Sequence, residues 1–97
     1  MTQSKEATAP NLRFATGQVV ITTNAAGRLS PAEINQGFAR HISGDWGNVC
    51  SDDAQANVDA LEHGDRLLSA YGEGDHRFWI ITESDRSVTT ILLPEDY

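Results

Sequence analysis

The sequence lacks the features that would tie this chain to a membrane or to an oxidising compartment. Its single cysteine, Cys50, has no partner for a disulfide within the chain, which agrees with a reducing compartment. No apolar run approaches the ~20 residues that a membrane-spanning helix needs. The first six residues also lack the apolar stretch of a secretory signal. We therefore expect a soluble cytoplasmic protein that makes no membrane contact.

Positive charge is scarce as well. The chain has 7 Lys and Arg residues against 14 Asp and Glu residues, which gives a net charge of -7. Residues 1–40 carry four bases and two acids, a balance of +2, whereas residues 41–97 carry three bases and twelve acids, a balance of -9. Because phosphate backbones are bound mainly by Lys and Arg that displace counterions, a nucleic-acid partner is disfavoured. A basic protein surface is a compatible partner.

The length of 97 residues and the apolar fraction of 39% suit one small globular domain. Residues 1–12 are small and polar, include Pro10 and lack periodicity, so we predict a flexible tail there. We predict that residues 13–97 form a single domain.

The last third of the chain carries the clearest strand signals. Residues 77–82 and 87–93 are rich in β-branched and aromatic side chains, and the polar link 83–86 between them predicts an antiparallel hairpin. Residues 66–71 predict a strand before this hairpin. Residues 17–23 predict a short early strand, ended by a turn at residues 24–27.

Two short helices are predicted between the early strand and the later three. Ser30, Pro31 and Glu33 together predict a helix start with a capping box. A second helix is predicted from Ser51, with acids in its first turn. Apolar residues recur at helical spacing in both segments: Ile34, Phe38 and Ile42 in the first, and Ala54, Val58 and Leu61 in the second.

The predicted order β-α-α-β-β-β indicates an α+β domain, with an antiparallel meander sheet of three to four strands and two short helices packed on one face. Alternation places Phe78, Ile80 and Thr82 on one face and Trp79 and Ile81 on the other. Neither face is polar. We therefore expect helices to cover one face, and a partner or the N-terminal segment to cover the other.

Three segments resemble a widespread family of small, functionally uncharacterised bacterial proteins that are often described as plasmid-related and often found on mobile elements. These segments are HISGDWG at residues 41–47, RLLSAY at residues 66–71 and WIITESDRSVTTILLPEDY at residues 79–97, of which the last is the most specific. The resemblance runs from about Gly17 to the C-terminus. It implies a cytoplasmic accessory role near mobile DNA, and it brings no established activity and no catalytic assignment.

One group of residues has the chemistry of an active site. His41, Asp45, Arg86 and Thr89 would come together if the loop after the first helix lay over the hairpin turn. A histidine held by a carboxylate can serve as a general acid or base, and an arginine can stabilise an anionic transition state. The favoured alternative is structural: Asp45 caps its glycine-rich loop, His41 fills the edge of the core, and Arg86 pairs with Glu83 or Asp85.

No metal or cofactor is predicted. The residues His41, Cys50, His63 and His76 lie nine, thirteen and thirteen positions apart, unlike the closely paired ligands of zinc sites. Cys50 precedes a helix, but Asp52 and Asp53 oppose a thiolate there, so we favour a packed or exposed thiol over a nucleophile. The candidate binding residues are the two tryptophans and the hairpin turn: Trp46, Trp79, Glu83, Asp85 and Arg86.

These observations favour a small acidic protein-interaction module, an accessory protein of a mobile element that binds another protein or itself through an apolar sheet face. The alternative hypothesis is a small ribonuclease or toxin-like enzyme of barnase-like or RelE-like architecture that uses His41 and Arg86. The acidic surface argues against that enzyme, since an RNA substrate needs a basic approach.

Overall fold

The structure, a computed structural model, describes residues 12–97. The predicted flexible tail therefore lies outside the described residues except for Leu12, which is exposed. Within these residues the chain forms four strands and three helices, with short 3-10 turns at Gly74–His76 and Pro94–Asp96. In chain order the elements are β1 (Gln18–Ile21), α1 (Thr23–Arg28), α2 (Pro31–Ile42), α3 (Ser51–His63), β2 (Leu67–Tyr71), β3 (Phe78–Thr82) and β4 (Val88–Leu92).

The strands form one sheet in the order β1-β4-β3-β2. Strands β2, β3 and β4 pair antiparallel, so the predicted meander and the α+β class are confirmed. The sheet is mixed rather than fully antiparallel, because β1 pairs parallel with β4. Gly17 makes this approach possible, since its φ is +62° and a Cβ there would lie 2.2 Å from the Ser87 carbonyl oxygen.

Helix α2 begins as the sequence predicts. The Glu33 N–H donates to Ser30 Oγ at 3.1 Å, and the Ser30 N–H donates to Glu33 Oε1 at 2.8 Å, which completes the capping box. The prediction of a turn at residues 24–27 was wrong, because these residues belong to α1. Thr22 caps that helix by accepting from the Ala25 N–H, and Ala25 is fully buried in the core.

Helix α3 begins at Ser51 as predicted, and two residues of its predicted apolar stripe, Ala54 and Leu61, pack against the core. Val58, predicted to lie on the apolar stripe, is 51% exposed, whereas Asn57 and Ala60 are buried. The Asn57 amide makes two bonds with the main chain of Leu68, donating at 2.7 Å and accepting at 3.1 Å. A polar side chain faces the sheet because it satisfies backbone groups at the edge of β2.

The two faces of the sheet differ in what lies over them. On the first, here called the covered face, strand residues pack with Ala25 of α1 and with Ile34 and Phe38 of α2 in one core cluster. A second cluster joins α3 to the same face through Ala60 and Leu67. The opposite side, here called the open face, presents the alternate strand residues Val20, Leu68, Ala70, Trp79, Ile81, Val88, Thr90 and Leu92, with the exposed Gln18 of β1 at its border.

On the open face Ile81 and Leu92 are only 4% and 5% exposed and the other residues are half-buried, but none of them belongs to either core cluster. All three helices therefore stabilise one side of the sheet. Within residues 12–97, none of the helices is long and apolar enough to span a bilayer.

Candidate functional site

His41 is fully buried between α2 and the covered face. Its Nδ1 lies 2.6 Å from Ser69 Oγ, and its Nε2 lies 2.9 Å from Thr82 Oγ1. The hydroxyl of Thr82 continues to Thr89 Oγ1 at 2.7 Å, and the hydroxyl of Thr89 donates to the Thr16 carbonyl at 2.8 Å. This hydrogen-bond chain connects helix α2 to strands β2, β3 and β4 and to the segment that precedes β1.

The last bond in this chain fixes the direction of the others. Because the single proton of Thr89 goes to the Thr16 carbonyl, the Thr82 hydroxyl must donate to Thr89. Thr82 then accepts from His41 Nε2–H, and Nδ1 accepts from the Ser69 hydroxyl. Nε2 therefore carries a proton in either charge state, Nδ1 accepts from Ser69 when the ring is neutral, and neither ring nitrogen is left for a substrate.

Burial favours the neutral form of the ring. Removal from water lowers the pKa of His41 from 6.5 to about 4, because a buried imidazolium loses its hydration. At neutral pH the side chain is therefore uncharged. The structural interpretation of His41 agrees with this geometry, although the residue lies in the core itself rather than at its edge.

Asp45 is placed away from His41. Its carboxylate accepts from Arg40 Nε at 2.7 Å and from the Gly47 N–H at 3.2 Å. The Arg40 hydrogen bond, followed by the Gly47 bond, keeps the pKa of Asp45 below its usual range. The guanidinium of Arg40 also lies 4.8 Å from the centroid of the Tyr71 ring. Asp45 thus organises its glycine-rich loop, as the structural alternative predicted.

Arg86 joins the hairpin turn to the end of α3. It donates to the carbonyls of Asp65 at 2.7 Å, Glu83 at 3.1 Å and Ala60 at 3.2 Å. These bonds satisfy carbonyls at a helix C-terminus and accompany a left-handed backbone at Arg86, with φ of 61°. Arg86 pairs with the Glu83 main chain and not with the carboxylates that the sequence suggested.

The four predicted catalytic residues therefore do not share an opening. His41 and Thr89 are linked through Thr82, whereas Asp45 pairs with Arg40. The ring of Phe14 lies near both Arg86 and His41. It is 5.8 Å from the Arg86 guanidinium and meets the His41 ring edge-on at 5.2 Å. The ribonuclease hypothesis needs His41 and Arg86 at one exposed site, and this arrangement does not provide it.

The predicted binding residues divide between the core, the hairpin turn and the open face. Trp46 is buried and stacks on Phe14 at 6.2 Å. Asp85 accepts from the Ser87 N–H and hydroxyl within the turn, and Glu83 pairs with Arg66 at 3.4 Å. Trp79 lies on the open face, where its ring meets Tyr97 edge-on at 5.6 Å.

The open face is a continuous surface without a charged strand residue. It is defined by its eight strand residues given above, and the exposed ring of Tyr97 lies at its border. The Tyr97 hydroxyl accepts from Arg66 Nη1 at 2.8 Å, which holds this aromatic side chain beside Trp79. The period-2 pattern of β3 predicted this face, but the sequence did not indicate that Tyr97 joins it.

A second apolar surface was not predicted. A groove of about 360 Å³ runs between β1 and the first turn of α2, and its walls include Val19, Ile21, Leu29, Pro31 and Ile34. The side chains of Val19 and Ile21 remain 46% and 38% exposed. The available signal was the run Val19-Val20-Ile21, which is apolar at both parities of a strand.

A smaller cavity of about 180 Å³ is lined by Glu33, Arg40, Tyr71 and Phe78. Glu33 is engaged there by His76 Nδ1 at 2.8 Å and by the capping box. Cys50 is exposed at the N-terminus of α3 and has no capping bond. In the part of the chain that the structure describes, no three His, Cys, Asp or Glu side chains are grouped to hold a metal ion.

Comparison with protein-family models, with curated proteins and with solved structures gave no match, so the resemblance through residues 41–47, 66–71 and 79–97 stays a prediction.

Proposed function

We propose that this protein is a non-enzymatic interaction module that binds a partner protein through the open face of its sheet. The observation that carries the proposal is the placement of all three helices on the opposite face. On the open face Trp79 is half-buried, and Ile81 and Leu92 are buried although no helix within residues 12–97 packs over them. Contiguous apolar surface of this kind is typical of protein-protein contact sites.

The composition of the face supports a specific contact. An aromatic residue at the centre of an interface supplies large contact area at low entropic cost, and Trp79 has Tyr97 beside it. Leu68 and Thr90 flank Ile81 on the two neighbouring strands. The backbone of this surface is fixed by sheet pairing on both sides of β3, so a partner meets a preorganised surface.

The charge distribution favours a partner with a basic rim. Residues 41–97, which include three of the four strands, carry the balance of -9. Opposite charge around an apolar contact accelerates encounter and rejects wrong partners. We infer a protein partner that presents an apolar patch bordered by Lys and Arg, in place of a nucleic acid.

The cellular setting is also part of the proposal. The lone Cys50 thiol is exposed, which suits a reducing cytoplasm. The resemblance to plasmid-related proteins favours an accessory role for a mobile element. In this setting an acidic module would act by occupying a basic surface of another protein.

The test uses a charged substitution at the centre of the face. Thr90→Arg places a long cation among Val20, Ile81 and Leu92 without removing a buried apolar group. The immobilised parent protein should retain a partner from extract of the native host. The Thr90→Arg variant should bind that partner, once purified, roughly tenfold more weakly or worse, since the contact is central.

Val58→Arg is the matched control, because Val58 is exposed on α3, away from the face. It should bind like the parent protein. Higher salt should slow association with the partner, because the long-range attraction is screened. Equal binding by the parent and Thr90→Arg, or the absence of any protein that distinguishes them, would overturn the proposal.

A further inference from the structure

The two edges of the sheet are finished differently. At the β2 edge, the outward N–H and C=O of Leu68 are bound by Asn57. The outward groups of Ala70 are bound by the loop before α3, with Ala70 N–H donating to Trp46 O at 3.1 Å and Asn48 N–H donating to Ala70 O at 2.7 Å. This edge cannot accept another strand.

At the β1 edge, by contrast, main-chain groups and apolar side chains face outward. The N–H groups of Gln18 and Thr22 donate to Ser87 and Ile91 of the neighbouring chain segment, each at 3.0 Å. Because backbone direction alternates along a strand, the N–H and C=O groups of Val19 and Ile21 point away from the sheet. Their side chains are also substantially exposed, at 46% and 38%.

We propose that β1 pairs antiparallel with β1 of a second copy of this chain, which joins the two sheets into one across a two-fold axis at Val20. In this register Val19 lies opposite Ile21 of the second copy, and Ile21 lies opposite Val19. Both are hydrogen-bonded pairs, and each closes two main-chain bonds. Val20 lies opposite its own copy in the non-hydrogen-bonded position between them.

Because the main-chain groups of the β2 edge are already bonded, self-association through β1 should stop at a dimer. Pairing of β1 with the β2 edge of another molecule would create a head-to-tail filament, but Asn57 and the loop at residues 46–48 occupy that edge. The remaining self-pairing uses the same strand from both copies. Such an interface closes after two molecules.

The surroundings of β1 are compatible with pairing to a second copy of the chain. The groove beside the strand is lined only by uncharged residues, and in the joined sheet it adjoins the Val19 and Ile21 side chains of the second copy. The strand also lies in the part of the sequence with a balance of +2, distant in sequence from the acidic residues that give the remainder -9. Two copies therefore meet through their least acidic segment.

The length of the contact sets the expected strength. A four-residue strand with one apolar groove is a small interface, so the dimer should be weak. Sedimentation of the full chain from about 10 μM to about 1 mM spans the range in which such contacts dissociate. The mass should rise from one chain to two with concentration and stop there. A single-chain mass throughout, or growth beyond two chains, would overturn the inference.

Charged variants locate the contact. Val19→Lys should raise the dissociation constant about tenfold or more, since a lysine at a strand edge opposes pairing. Val58→Lys is the control, because it adds the same charge at an equally exposed valine of α3. Equal weakening by both variants would contradict pairing through β1. Dimerisation is measured on the chain alone, without any partner protein, which separates this result from the test of the open face.

A cysteine scan tests the register. In a Cys50→Ser background, Val20→Cys places two thiols opposite each other in the non-hydrogen-bonded position, where the Cβ atoms come close enough for a disulfide. Oxidised glutathione should convert this variant to a covalent dimer at least about tenfold faster than Val19→Cys. Faster cross-linking of Val19→Cys, despite its greater exposure, or equal rates, would exclude the two-fold axis at Val20.

Discussion

The covered face and the open face are built from alternate residues of the same strands, yet only the covered face contains fully buried polar side chains. Ser69, Thr82 and Thr89 lie there beside His41, and each has its hydrogen bonds within the chain. The open face has one hydroxyl, Thr90, among apolar neighbours. A core has to satisfy its polar groups internally, whereas an interface surface can leave them to water or to a partner.

The largest expected contrast compares two consecutive isoleucines of β3. Ile80→Ala should lower the free energy of unfolding by about 2–5 kcal/mol, because it removes buried surface and leaves a cavity beneath the helices. Ile81→Ala should cost roughly 1–2 kcal/mol less, since no helix within residues 12–97 closes the space over Ile81, although the residue is itself only 4% exposed. Urea denaturation of both variants measures the difference. Equal losses would show that the open face is sheltered as completely as the core.

The second contrast uses pH to probe the covered face. The folded-state pKa of His41 is about 4 and the unfolded value is 6.5, so the unfolded state binds the extra proton between these values. The contribution of the neutral His41 to the free energy of unfolding is therefore present above pH 6.5 and is lost as the pH falls towards 4. The difference between a pKa of 6.5 and one of about 4 corresponds to a loss of roughly 3 kcal/mol in the free energy of unfolding.

His41→Gln isolates this effect from the acidic residues. The parent protein should lose stability more steeply than the variant between pH 6.5 and 4, when both are followed by denaturant titration. The variant itself should be less stable at pH 7, because one glutamine cannot reproduce both ring bonds. Parallel pH curves for the two proteins would mean that His41 is not a buried neutral imidazole.

The smallest contrast is an identical substitution on neighbouring residues. Thr89→Val removes the hydroxyl that receives from Thr82 and donates to the Thr16 carbonyl, so it should cost about 1–3 kcal/mol. Thr90→Val removes a hydroxyl of the open face and should change stability by less than about 0.5 kcal/mol. Thermal unfolding of the pair checks this order. A comparable loss from Thr90→Val would place a necessary bond on the open face.

The sequence predicted those elements whose signals are local. The capping box at Ser30 and Glu33 and the hairpin of β3 and β4 form through contacts between residues a few positions apart. The alternation in β3 likewise identified Trp79 and Ile81 as members of a second apolar face. In these cases, a single strand or turn contains enough information to specify its own geometry.

The helical face of α3 was predicted only in part, since Ala54 and Leu61 pack against the core as expected but Val58 does not. Its apolar pattern favoured Val58, yet Asn57 faces the sheet because Leu68 supplies two main-chain partners. Those partners become available only once β2 is an edge strand at that place. Hydrophobic periodicity does not indicate which polar side chain will find hydrogen-bond partners in the main chain.

The candidate site was affected by the same limit. The sequence correctly placed His41 beside an apolar stripe, but its partners Ser69 and Thr82 are 28 and 41 residues away. Asp45 and Arg86 each found nearer or better-aligned partners in Arg40 and in the carbonyls that end α3. Grouping residues by their chemistry therefore overestimated how many would meet.

By itself, the sequence determined the α+β class, the capped start of α2, the antiparallel hairpin and the acidic balance of residues 41–97, because composition and short-range hydrogen bonding specify them. The tertiary structure alone decided that β1 lies parallel to β4, that the β2 edge is closed and that His41 carries its proton on Nε2. Each of these depends on residues distant in the chain being brought within bonding distance, and only packing of the whole domain selects among the possible pairs.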